Sequence, residues 1–412
     1  MLHNSIETRK IARAGIIAFV VLWNCASLAS PCPFCAGVLP SFRDEYHDLS
    51  EFHVAICLKC QEQKNEPGLF SAELRVVEPL KSITRITKNT SISMVTFDPL
   101  AAHQLFLVNG YGEKDQFQWV APTTILPNEI DYVREATRLA KNETPMLARL
   151  QFFFEHRDSP STLIREDCFN ELGKTSIEDL QWLKPLLDPN KLKESLRSDQ
   201  HSTDRKRLDW VLLGICGQAS DAAIFDELLD RYYKKKQATT EIGTLIRQSI
   251  GLDAAISTYI TLLGEKGLER IEKDFISNPQ CDFSDSFSAI LALRVQGNDI
   301  QKISRTRIAQ SLTLVLQRHD MADLVVPDLA RWEQWNYCDT LIQIYQKSEK
   351  DDLRLRIPII NYLRVCPHPQ AKEMLESIRL QEPINYRRAL TLFPQLEIPK
   401  NSQPSEGSLL VK

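Results

Sequence analysis

The sequence is poor in catalytic signatures. It contains no HExxH, no GxSxG, no Walker loop and no Rossmann glycine run, so the common zinc-hydrolase, serine-hydrolase and nucleotide-binding chemistries have no local anchor in it. Positive charge is scarce as well: the formal net charge is −4, and loss of residues 1–29, which hold three Lys/Arg and one Glu, would take it to −6. An acidic chain is a poor binder of nucleic acid. The one basic run, "RYYKKKQ" from Arg231 to Gln237, reads as a solvated helix end, where cations suit the macrodipole. The N-terminal apolar run from Ile16 to Leu28 is shorter than the ~20 residues a bilayer span needs. "LWNC" also lacks a lipobox, because Asn24 stands where a small residue is required.

What is there begins with that same run. Arg9, Lys10 and Arg13 precede it, and small residues follow. This order is that of a secretory signal, with Ser27 and Ala29 at the positions a signal peptidase reads and Ser30 as the first mature residue. The expectation is export to the periplasm, cell envelope or medium, with no stable membrane span after cleavage.

At 412 residues the chain suits more than one domain. "PSFRDEYHDLSEF" reads as a short helix opened by Pro40 and Ser41, with His47 on its surface and His53 at its end. Five strands follow: "HVAICLKC", "GLFSAELRVVE", "SISMVTFDP", "HQLFLVNGYG" and "QFQWVAPTTIL". In the second, Phe70, Ala72, Leu74 and Val76 alternate with polar neighbours, as a half-buried strand requires. From Pro127 the texture turns to apolar periods of 3.6 with helix breaks such as "LLGICGQASDAAIFDELL" and "YLRVCPHPQAKEMLESI". Helix, tight turn, helix units of this kind stack into HEAT-like solenoids. The predicted architecture is α+β: signal peptide 1–29, a small β-barrel 30–127, an all-α helical-repeat domain 128–393 and a disordered tail 394–412.

Two C-x-x-C pairs, Cys32/Cys35 and Cys57/Cys60, carry most of the chemistry the sequence offers. As a redox motif "CPFC" would follow a strand and open a helix, and only Ser30 and Pro31 precede it here. As a zinc site the spacing C-x2-C-x21-C-x2-C is suitable, but regular alternation in "VAICLKC" would turn Cys57 and Cys60 to opposite faces. The favoured reading is structural: a disulfide from Cys32 or Cys35 to Cys57 or Cys60 closes roughly 25 residues and contributes roughly 3 kcal/mol by loop entropy. Cys168, Cys216, Cys281, Cys338 and Cys366 read as buried thiols scattered among helices. No cofactor, catalytic residue or metal ligand set is assigned.

"DLARWEQW" is the remaining feature. It places Asp328, Arg331 and Trp335 within two helical turns as a partner-binding candidate, with Trp332 in register with Leu324, Val325 and Leu329 as core.

Residues 30–130 resemble the netrin-like OB barrel of tissue inhibitors of metalloproteinases, through the cysteine pair, the short helix, "HVAICLKC", "QLFLVNGYG" and "QWVAP". Those inhibitors use an N-terminal C-x-C, whereas this pair is C-x-x-C behind Pro31, so protease inhibition does not carry over. Over its whole length the chain resembles an uncharacterised family of exported planctomycete-type bacterial proteins, through "CPFC", "LLGICG", "ADLVVPDLARWEQW" and "VCPHPQA". That resemblance implies the same two-part architecture and an envelope location. The function expected is binding or scaffolding of a protein or peptide on the helical surface; the alternatives are a thiol oxidoreductase using Cys32 and Cys35 and a zinc-binding protein.

Overall fold

The computed structural model describes residues 32–35, 37–112, 118–141, 144–238 and 250–392. The expected signal peptide and the expected disordered tail lie outside these. Among the described residues no helix is long and apolar enough to cross a membrane. A nearly closed antiparallel β-barrel is followed by helices, and the chain divides into two compact units, residues 1–187 and 188–412.

The first unit opens with helix α1 (Phe42–Asp48), started by a capping box in which Ser41 and Asp44 satisfy each other's backbone N–H groups. The barrel strands are β1 (Glu51–Gln63), β2 (Glu66–Ser82), β3 (Ser91–Thr96), β4 (Leu105–Tyr111), β5 (Gln118–Trp119) and β6 (Thr123–Ile125). Their order is β3-β2-β1-β4-β5, with β6 also pairing β4. The five expected strands are present, the last split in two. Ala72, Leu74 and Val76 point inward as the alternation predicts, joining Ala55, Cys57, Ile92, Met94, Phe106 and Val108 in one core. The ladder between β1 and β2 shifts register at four points. Bulges of this kind bend long strands and let a sheet curl towards closure.

The first part of β1, from Glu51 to Ala55, is buried on both faces, because α1 covers its outer side through Phe42 and Tyr46 against Phe52, ring centroids 6.4 Å apart in each case. Helices α2 (Ile130–Lys141), α3 (Met146–His156), α4 (Thr162–Gly173) and the single turn α5 (Ile177–Leu180) complete the unit. Helix begins at the change of texture near Pro127, yet these helices remain with the barrel: Tyr132 of α2 packs on Phe42 at 6.4 Å, and Asp167 of α4 accepts from the Phe42 N–H at 2.6 Å.

The second unit is helical: α6 (Pro189–Arg197), α7 (Thr203–Cys216), α8 (Ala223–Ala238), α9 (Leu252–Leu263), α10 (Glu265–Ile271), α11 (Phe283–Val295), α12 (Arg305–Thr313), α13 (Ala322–Arg331), α14 (Cys338–Lys347), α15 (Leu353–Val365), α16 (Pro369–Gln381) and α17 (Pro383–Leu392). Odd-numbered helices stack in two runs, α7 on α9 and α9 on α11, then α13 on α15 and α15 on α17, and α12 packs on both α11 and α13 between them. Polar side chains tie each repeat to the next. Arg294 reaches Asp328, Trp332 reaches Asn298, Arg307 reaches Glu272 and Arg318 reaches Ser286, at sequence separations of 34, 34, 35 and 32. That spacing is shorter than the ~40–47 residues of HEAT repeats and close to the ~34 of other helix-pair repeats. The basic run ends α8 as expected, with Lys236 bridging Asp282 at 2.7 Å and Asp285 at 3.0 Å.

The compact units set the fragments that should survive cleavage. Limited proteolysis should leave a stable helical fragment beginning close to Asp188. A fragment beginning near residue 130 would show instead that α2–α4 fold apart from the barrel.

Candidate functional site

Cys32 and Cys35 form a tight turn, with Cys35 N–H donating to Cys32 O at 3.0 Å and the two Sγ atoms 3.2 Å apart. A bonded pair would be about 2.05 Å apart. Both residues are buried, and the turn docks on the C-terminal end of α4, where Cys32 N–H donates to Gly173 O at 3.2 Å. Gly173 lets the turn dock closely, since a Cβ there would lie 3.2 Å from Cys35 Cβ and 3.1 Å from Val38 Cγ2. A redox dithiol sits at a helix N-terminus, where the dipole stabilises a thiolate; this one sits at the opposite end.

The expected staple between the two cysteine pairs is not made. Cys57 and Cys60 lie in the barrel, on either side of the Leu100 peptide: Leu100 N–H donates to Cys60 Sγ at 3.3 Å, and Cys57 Sγ lies 4.0 Å from Leu100 O. Alternation predicted opposite faces for these two thiols, and the structure corrects that. Cys57 pairs with Leu74, Lys59 with Glu73 and Cys60 with Ala72, so Leu58 is an extra residue on β1. The bulge turns Cys60 to the same core as Cys57. Burial, with Cys60 close by, pushes the Cys57 thiol up.

His53 is not at a helix end. It lies fully buried in β1, bonded to Glu51 Oε2 at 2.7 Å, and its Nδ1 has no hydrogen-bond partner. Burial lowers its pKa against the pull of Glu51. For Glu51 burial acts upward, but hydrogen bonds from Thr84, Ser82 and His53 outweigh it and hold the carboxylate low. His47 sits in the last turn of α1, exposed as expected.

A polar cluster under α1 joins it to α4. Ser41 Oγ donates to Glu171 Oε1 at 2.9 Å and accepts from Lys174 Nζ at 2.8 Å, and Arg43 Nε donates to the same Glu171 oxygen at 2.7 Å. The Ser–Lys contact resembles a hydrolytic dyad, but Ser41 is 0 % exposed and is the N-cap of α1. Its role is to join helix ends. Beside it Asp167 accepts from Tyr132 Oη at 2.7 Å, and burial pushes its pKa up to about 7.

The "DLARWEQW" residues do not share one helix surface. α13 ends at Arg331, Glu333 takes φ 55°, and Trp335 opens a separate turn. Asp328 is buried between two cations, with Arg294 Nε at 2.7 Å and Arg331 Nη1 at 3.0 Å. The Arg331 side chain is 60 % exposed, and Trp335 packs edge-on against Tyr362 at 5.4 Å. Trp332 is core: it is buried, donates from Nε1 to Asn298 Oδ1 at 2.9 Å and covers Gly297.

One cluster was not anticipated as a group. Cys338 Sγ, an Asp339 carboxylate oxygen and a His368 ring nitrogen lie within 4.8 Å of one another. The Cys366 thiol lies close to Cys338 on the buried side and near Tyr362. Burial, then Cys366, pushes the Cys338 thiol up to about 12. Cys338 starts α14, Cys366 caps the end of α15 and His368 caps the start of α16. Proline on both sides of His368 was the available sequence signal, because it fixes an extended link between two helices. No family model matches this chain, and no curated protein matches it.

Two measurements test these placements. Trp332→Ala should cost about 3–5 kcal/mol in chemical denaturation, and Gly297→Ala should also destabilise, because its Cβ would lie 2.6 Å from Trp332 Cη2. Asp167, raised to about 7 in the folded protein, binds its proton more tightly folded than unfolded between pH ~4 and ~7. Stability from this group therefore falls as pH rises through that window. Asp167→Asn should remove that fall; an unchanged pH profile would assign the dependence to other groups.

Proposed function

We propose that this chain is an exported envelope protein that binds or scaffolds a protein or peptide partner on its helical unit. One observation carries the reading. Between the turn after α12, the end of α14 and the start of α15 lies an open groove of about 730 Å³, with Leu316, Ile344 and Leu355 beside Lys347, Asp351 and Asp352. Apolar surface interleaved with charge at the junction of two repeats suits an extended segment of another chain, and stacked helix pairs use such concave surfaces for recognition. Support for export comes from the basic, apolar and small-residue order of residues 1–29. The acidic charge favours a protein partner over nucleic acid.

A second reading rests on the 3.2 Å separation of the Cys32 and Cys35 sulfurs. Thiols that close form a disulfide with little movement, as a thiol oxidoreductase requires. Their burial weighs against it, because a substrate disulfide has to reach the attacking sulfur.

Photo-crosslinking from position 347 in intact cell envelopes separates the two. A binding protein should give a discrete adduct that Ile344→Glu abolishes while the melting temperature holds. Absence of any adduct, together with disulfide-reductase turnover that Cys32→Ser eliminates, would replace binding with redox catalysis.

A further inference from the structure

We infer that Cys338, Asp339 and His368 form a site for a zinc-class transition-metal ion, joining the starts of two helices. The donor set has the chemistry for it. A thiol and an imidazole select borderline-soft cations over calcium or magnesium, one carboxylate makes the third ligand, and water can take the fourth position of a tetrahedral shell. Ligand atoms in such a shell lie about 3.2–3.8 Å apart, given bonds of about 2.0–2.3 Å. Cys338, Asp339 and His368 are within 4.8 Å of one another, so small side-chain rotations bring them onto one ion. Cys366 lies close to Cys338 on the buried side, behind these three donors.

The backbone holds the His368 ligand before any ion arrives. Cys366 (φ −68°, ψ 125°) and His368 (φ −64°, ψ 137°) lie in an extended Cys-Pro-His-Pro link between α15 and α16. The prolines restrict that link, so little entropy is lost on binding. The two thiols are buried while Asp339 and His368 are exposed, which leaves a solvent-side entry for the metal and a dry inner side. Cys338 is the first residue of α14 and His368 caps α16, so the positive ends of two helix dipoles face the anionic ligands.

Asp339 also lines a groove of about 500 Å³ between α14 and α16, with Gln343, Gln370 and Met374. An ion at its end would fix the angle between those helices. The competing chemistry for the Cys338 sulfur is a Cys338–Cys366 disulfide, for which His368 and Asp339 are irrelevant. That difference makes the site testable.

The full-length protein, purified under reducing, metal-free conditions, is loaded with zinc, and in parallel with cobalt, and freed of excess. Elemental analysis should find one more zinc per chain in the parent than in His368→Ala or in the Cys338→Ser/Cys366→Ser double variant. The thiolate-to-cobalt charge-transfer band should fall in step. Zinc should raise the melting temperature of the parent and leave that of His368→Ala unmoved. His368 is on the surface, so its variant remains folded even if the double variant does not. Equal zinc content and equal cobalt spectra in parent and His368→Ala would overturn the site. So would differential alkylation showing Cys338 and Cys366 joined to each other in protein isolated without reductant.

Discussion

The helical unit depends on buried carboxylates held by arginines from a neighbouring repeat. Asp328 is the clearest case: at 1 % exposure both its oxygens are engaged, one by Arg294 of α11 and the other by Arg331 of its own helix. Removing one partner from such a pair costs about 3–5 kcal/mol, because the remaining charge has no water to turn to. Replacing the whole pair with apolar groups is often harmless, so its value lies in specification more than in net stability. A helix pair that slides by one turn loses the tie, whereas apolar side chains would tolerate the shift. Arg207 with Asp253 at 3.0 Å repeats the device, and Arg307 with Glu272 at 2.5 Å and Arg356 with Glu382 make half-buried versions of it.

The first unit uses the same physics at a different junction. Asp167 and Glu171 lie one turn apart on α4 and collect the Phe42 N–H, Tyr132, Ser41, Arg43 and Lys174. Two buried acids thereby bind α1 and α2 to α4. The compact unit consequently runs on past the last strand to Leu187, although the sequence changes texture near Pro127.

That contrast shows what the sequence makes legible. Strands and helices follow from periods of 2 and 3.6, which are local, so their existence and order can be read directly. Faces within β1 cannot, because the bulge at Leu58 is an accident of pairing with β2 that no alternation rule contains. The same limit hides His53, whose burial depends on β4 and Trp119 arriving from far along the chain. The break after Arg331 escapes for another reason: Glu333 takes a left-handed φ of 55° without being a glycine, so the usual stop signal is missing. Cys338 and Cys366 read as unrelated because helix stacking alone brings them together.

Buried polar groups therefore carry a consistent meaning in this molecule. Asp167 and Glu171 in the first unit, and Asp253, Asp285 and Asp328 in the second, terminate on arginine, lysine or tyrosine from another element, which makes them ties between elements. Tyr132, held by both Asp167 and Cys168, is pushed far above its ordinary pKa by burial and by those acidic neighbours; a phenol so held is a fixed donor and a poor acid. Cys338 and Cys366 differ from these groups. Their exposed neighbours Asp339 and His368 have donor atoms close to a sulfur that is itself under cover. A tie made only of protein groups would be expected to bury its polar partners. One that leaves two of its three donors facing solvent has room for a component that arrives from outside.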